Sequence, residues 1–159
     1  MSKKNGFTLV ELMVVIVIIG VLAAVAIPKM MAATNKAKAG EGPQLLRSIA
    51  SMEAAYKAEN DTYISADAAE KGPAEGAWKG LGFDQNPFSR YFTFSVTGGA
   101  TYKPDGDYAV SEYKNEFLAT AALSAGLGDA VAGTDNLTIN EKDERVGTDN
   151  IKKLVPNWK

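Results

Sequence analysis

Lys3-Lys4-Asn5-Gly6-Phe7-Thr8-Leu9-Val10-Glu11-Leu12 opens into an apolar run that continues to Ile27 and closes at Pro28. Phe7 to Ile27 is 21 residues. Wound as a helix it spans about 31 Å, close to the hydrocarbon thickness of a bilayer. Leu, Ile, Val and Phe fill fourteen of its positions, worth about −4 to −8 kcal/mol of insertion free energy. Glu11 opposes this by about 2.5 to 3.5 kcal/mol, on the value for an acidic residue at a helix centre. Insertion therefore wins, and a carboxylate kept inside a membrane segment points to a purpose.

The run does not read as an ordinary secretory signal, which has a shorter apolar core followed by a small-residue cut site. Here the core leads into Pro28-Lys29, and the natural cut lies before it, between Gly6 and Phe7. Such a cut removes the basic leader and leaves the helix with a free α-amino group on Phe7. Charge does not settle orientation, because Lys3 and Lys4 flank one end while Lys29, Lys36 and Lys38 flank the other. Gly20 and Pro28 read as a packing glycine and a kink near the membrane boundary.

Composition narrows the chemistry. The net charge of −2 becomes −4 once Lys3 and Lys4 leave, a mild acidity that gives no footing for nucleic acid. The chain has no Cys, hence no disulfide framework or thiolate site. It has no His, the commonest metal ligand and general base. Most hydrolytic, redox and zinc chemistry is thereby removed, no cofactor is expected, and the chain reads as a non-enzyme.

Beyond Pro28 the sequence divides into a helical extension over 29–61 and a head over 62–159. Lys29 to Ala39 favours helix, and Gly40-Glu41-Gly42-Pro43 should break or kink it. Leu45, Ile49, Met52 and Tyr56 recur at spacings of four, three and four, one apolar stripe, with Arg47, Ser51, Glu53 and Lys57 off it. The helix should end near Asn60-Asp61. Residues 64–88 read as a Gly- and Ala-rich loop held by Trp78, Leu81, Phe83 and Phe88.

Arg90 to Val96 alternates, with Phe92, Phe94 and Val96 on one side, as a half-buried strand does. Gly98-Gly99 and Pro104-Asp105-Gly106 read as turns. Further strands are expected at Asp107–Ser111, Glu116–Ala122 and Asn136–Asn140, with a polar turn over Glu141–Glu144. The fold expected is α+β: a long N-terminal helix, membrane-spanning first and amphipathic second, laid on a small antiparallel sheet.

Several patterns in the head read as bland. Glu141, Asp143, Glu144 and Asp149 offer oxygen ligands for Ca²⁺ but lack EF-hand spacing, and read better as a solvated acidic loop. Ser111-Glu112-Tyr113-Lys114 fits S-x-x-K without its companion elements, a chance match. Gly126-Leu127-Gly128 lacks the third glycine of a dinucleotide fingerprint and reads as a turn. Asn60-Asp61-Thr62 and Asn136-Leu137-Thr138 are glycosylation-type triplets with no other support.

The order of charge, Gly6-Phe7-Thr8-Leu9-Val10-Glu11 and apolar helix resembles the class III leader of type IV prepilins and pseudopilins. Lys3-Lys4, Gly20 and Pro28 fit the same pattern, and Glu53 to Tyr63 (EAAYKAENDTY) resembles the corresponding region of many pilin-like proteins. The resemblance implies a leader of residues 1–6 facing the cytoplasm, and a filament-core helix over 7–28. It implies cleavage after Gly6 and N-methylation of Phe7 by a prepilin peptidase and methylase. It implies an inner-membrane precursor, handled by pilus assembly machinery and built with copies of itself into an extracellular filament.

In that filament the Phe7 ammonium of one copy would meet the Glu11 carboxylate of its neighbour, neutralising both and fixing axial register. Gly20 to Pro28 would be the segment that loses helix on assembly. The resemblance also keeps calcium open, because major pseudopilins bind it in a C-terminal loop. Many pilins close that region with a disulfide, which this chain cannot form. The leading expectation is a type IV pilin. The alternatives are a pseudopilin of a type II secretion or DNA-uptake system, and a single-pass membrane-anchored binding protein.

Overall fold

The computed structural model describes residues 6–67, 76–83, 89–98, 100–102, 108–110, 116–128 and 130–158. The chain forms two compact units, Met1–Asn35 and Lys36–Lys159. The expected turn at Pro104-Asp105-Gly106, the S-x-x-K stretch, Phe88 and Gly99 lie outside the described residues.

The first unit is helical from Leu9. Helix α1 (Leu9–Ala39) runs without interruption past Gly20, with Pro28 inside it. Its large apolar side chains from Leu9 to Met31 are exposed on every side. A helix apolar all round has no core face of its own and belongs in lipid or among other helices. Its mean hydropathy of 3.0 over an 18-residue window makes it long and apolar enough to cross a membrane.

The second unit has a conventional core. α1 stops at Ala39 and helix α2 (Glu41–Asn60) starts one residue later. The expected break is this slight because Gly40 keeps helical angles (φ −64°, ψ −19°). Pro43 falls in the first turn of α2, where a missing N–H costs little. Asp61 caps the far end in the left-handed region (φ 55°), its N–H donating to the Lys57 carbonyl at 2.9 Å.

A four-stranded antiparallel sheet, ordered β1-β4-β5-β6, packs on α2. Its strands are β1 (Phe92–Gly98), β4 (Phe117–Leu123), β5 (Asn136–Asn140) and β6 (Arg145–Gly147). Between β1 and β4 the chain makes a separate two-stranded sheet from β2 (Ala100–Tyr102) and β3 (Tyr108–Val110). Alternation along β1 buries Phe92, Phe94 and Val96, as the sequence pattern requires. In β4, Phe117, Ala119, Ala121 and Leu123 are buried. Short helices α3 (Ala77–Gly80) and α4 (Asp149–Leu154) complete the unit, α3 placing Trp78 in the core.

Three expectations are corrected. The buried face of α2 is Gly42, Pro43, Leu46, Ile49 and Glu53. It is rotated by about one residue from the stripe read through Leu45, Met52 and Tyr56, which lie only partly buried at its margin. Gly42 lies on this face, close against the sheet. A Cβ there would sit 3.0 Å from the Phe92 ring and 3.1 Å from Leu137, so a side chain would push these neighbours back by a few tenths of an ångström.

Glu53, expected off the stripe, is therefore fully buried. Gly98 is not a turn residue but the last residue of β1, paired with Phe117. A side chain there would meet the Ile64 carbonyl at 3.1 Å and the Tyr63 Cβ at 3.3 Å.

The C-terminal segment, without a disulfide, is held by Trp158. Its ring is buried, its Nε1–H donates to the Val146 carbonyl at 3.0 Å, and Arg47 and Arg145 lie 5.8 and 5.6 Å from the ring centre. Asp135 ties α4 to the turn before β5. Its carboxylate accepts the Thr148 hydroxyl and, at 2.6 Å, the Val131 N–H. The Thr148 bond first, then the Val131 N–H, hold this carboxyl below the usual Asp range.

Candidate processing and assembly site

Gly6, Phe7 and Thr8 precede the helix and are exposed. A Cβ built on Gly6 meets nothing within 4 Å, and Phe7 is 83% exposed. The Gly6–Phe7 peptide thus lies outside α1, two residues before its first turn. A peptide bond must enter a protease cleft extended, and this one has no helical hydrogen bonds to give up first.

Thr8 and Glu11 close a reciprocal cap on α1. The Thr8 N–H and hydroxyl donate to Glu11 Oε2 at 2.9 and 2.8 Å, and the Glu11 N–H donates to the Thr8 hydroxyl at 3.2 Å. This is a capping box, which satisfies donors that a helix start leaves free. Its sequence signal is Thr-x-x-Glu before an apolar run. Thr8 is the residue that the charge-in-lipid reading of Glu11 overlooked. Both Thr8 donors fall on Oε2, and no cation pairs with Glu11 among the described residues.

The remaining candidates are placed apart from this site. Gly20 lies in α1 with open space around it, and Pro28 lies within the same continuous helix. In the acidic loop, Asp143 (φ 58°) accepts from both nitrogens of the Arg145 fork, at 2.8 and 3.1 Å on Oδ1. Glu144 accepts the Asn140 amide at 2.6 Å, and the Asn140 side-chain oxygen accepts the backbone N–H groups of Lys142 and Glu144. Glu141 Oε2 lies 3.4 Å from the Phe117 N–H, and Asp149 is an exposed residue in the first turn of α4. No three acidic side chains converge on a common point among the described residues.

Residues 1–27 match the family model of the prokaryotic N-terminal methylation motif. The chain is 40% identical over 63 residues to the type II secretion system core protein G of Pseudomonas aeruginosa, covering 40% of this chain and 44% of that protein. It is 38% identical over 61 residues to the type IV major pilin protein PilA of Myxococcus xanthus, covering 38% of this chain and 28% of that protein. The aligned parts thus span less than half the length of these two relatives. A fimbrial protein of Pseudomonas aeruginosa aligns along the whole chain, at 28% identity over 164 residues and 93% of its own length. The prepilin-type N-terminus and these relatives place the chain beside type IV pilins and type II secretion pseudopilins.

Proposed function

We propose that the chain is a structural subunit of a type IV pilus. It is made as an inner-membrane precursor with its leader in the cytoplasm, cut between Gly6 and Phe7, methylated on the Phe7 amine and polymerised through α1. The observation that carries this reading is the pairing of two features at one end of the chain. An all-round apolar helix is left exposed among the described residues, and a carboxylate stands at its first turn behind a non-helical Gly6-Phe7. Burying α1 among copies of itself removes its apolar surface from water or lipid, and the capping box leaves Glu11 one oxygen for a second partner. Oε2 stays on its own Thr8, while Oε1 accepts the Phe7 ammonium of the next subunit. Each buried charge is then matched, the condition under which an ion pair in a dry core is tolerated. Gly20 to Pro28, short of one backbone donor, is the segment that unwinds as stems pack.

A second reading, a pseudopilin of a secretion or DNA-uptake system, is favoured by the similarity to core protein G and by the lack of cysteine. The partners in either case are further copies, a prepilin peptidase and methylase, and an inner-membrane assembly platform. N-terminal mass spectrometry on native cells separates the readings. Methylated Phe7 in sheared surface fibres supports the pilus subunit. Methylated Phe7 confined to the membrane supports the pseudopilin. An intact Met1 in all fractions contradicts both and leaves a membrane-anchored binding protein.

A further inference from the structure

Glu53 lies on the buried face of α2, fully shielded from solvent. Its Oε2 accepts the Ile64 N–H at 3.2 Å, and its Oε1 has no hydrogen-bond partner among the described residues. Among the described residues Glu53 forms no salt bridge. Tyr56 stands near on the same helix, Tyr63 on the segment that follows, and Glu141 acts on Tyr63 from beyond β5. Among the described residues, the buried residues of the sheet strands include Phe92, Phe94, Val96, Phe117 and Ile139, and no buried charged side chain lies on a strand. Lys57, one turn along, pairs with Asp61 at 3.2 Å. A carboxylate shut in with one amide donor and no ion-pair partner among the described residues is costly, and a carboxylic acid is far less so.

The single bond it makes reaches a segment with a defined task. Ile64 is fully buried beside Glu53. Ser65 Oγ accepts the Gly98 N–H at 2.8 Å and donates to the Gly98 carbonyl at 2.9 Å. Ala66 exchanges two backbone bonds with Val96, at 2.9 and 2.8 Å. Residues 64–66 therefore cover the outer edge of β1, the strand at the end of the sheet order.

We infer that Glu53 is a protonation latch: as a neutral acid it holds residues 61–66 on α2 and over the β1 edge, and its ionisation releases them. Burial pushes its carboxyl up to about 8, against a partial opposing pull from the Ile64 N–H. A carboxyl raised on closing adds stability that is complete below its open-state value, about 4.3. That stability is lost as pH climbs through its closed-state value. The window of change is thus pH 4.3 to 8, and in it each unit of pH favours opening about tenfold. Opening uncovers the backbone groups of Val96 and Gly98, an edge able to pair with another strand.

Amide exchange on the full chain in detergent micelles tests the latch. The protection factor of the Ile64 amide should fall about tenfold per pH unit between about pH 5 and 8. In Glu53→Gln, which cannot ionise, it should not vary with pH. A flat profile in the native protein, or the same slope in Glu53→Gln, overturns the inference. Should Glu53→Gln fail to fold, the side-chain carboxyl carbon shift of Glu53 in the native protein decides. A midpoint near 8 supports the latch, and a midpoint in the ordinary carboxylate range near about 4 overturns it.

Discussion

The two helices that meet at Gly40 bury their apolar residues by opposite means. α2 places Leu46 and Ile49 under its own sheet and leaves its other faces polar. α1 surrounds itself with Leu, Ile and Val, and none of the described residues covers them. The head is completed by folding, whereas the stem is completed only by lipid or by other molecules. A mutation in one region should therefore fail in a different assay from a mutation in the other.

The largest expected effect breaks that comparison at the stem. Glu11→Val should insert and be processed normally, because it lowers the insertion cost, yet yield filaments at about a tenth of normal or less. The estimate assumes loss of one buried ion-pair partner, about 3–5 kcal/mol per contact. Sheared-fraction immunoblotting reads it, and normal yield would remove the register argument.

Core truncation in the head comes next. Phe92→Ala should cost about 3–5 kcal/mol and Leu46→Ala about 2–5 kcal/mol of head stability. Both should leave membrane insertion untouched, as denaturant unfolding and carbonate extraction would report. Asp135→Asn should cost about 1–3 kcal/mol, since it disturbs a buried acceptor of two hydrogen bonds.

The Asp135 carboxyl is depressed on folding, so its contribution is present above its unfolded value of about 3.9 and is lost as pH falls through the folded one. This is the reverse of Glu53, and Asp135→Asn should flatten the acid side of the stability profile. The smallest effect is Thr8→Ala, about 1 kcal/mol of helix capping. It sharpens the stem account because it removes the hydroxyl's bond to Oε2 of Glu11, leaving the backbone N–H of residue 8 on it, without removing the charge. Filament yield should survive it far better than it survives Glu11→Val.

The alternation of Phe92, Phe94 and Val96 and the β-prone runs of β4 and β5 were legible because each signal is local. So were the apolar length of α1 and the stop of α2 at Asp61. The rotation of α2 was not, because that face packs on residues remote in sequence, as Gly42 does on Phe92 and Leu137, some fifty and ninety-five positions away. Glu53 was misplaced for the same reason. A charged residue beside an apolar stripe reads as solvent-facing until the sheet shows where the face lies. β6 and α4 are too short for periodicity and exist through their contacts, Trp158 under Gly147 and Asp135 on Thr148. At the candidate site the Gly6-Phe7-Thr8-Leu9-Val10-Glu11 string could be read directly. Its cap could have been, had Thr8 been weighed with Glu11.

Gly6→Val gives the most direct test of the claim that leader removal turns a membrane precursor into a polymerising subunit. A bulky residue ahead of the scissile bond should block the cut, so high-speed sedimentation of sheared surface material should recover fibres from native cells and none from the variant. Its full-length chain should remain in the membrane. Fibres built from Gly6→Val protein that still carries its first six residues would contradict the account.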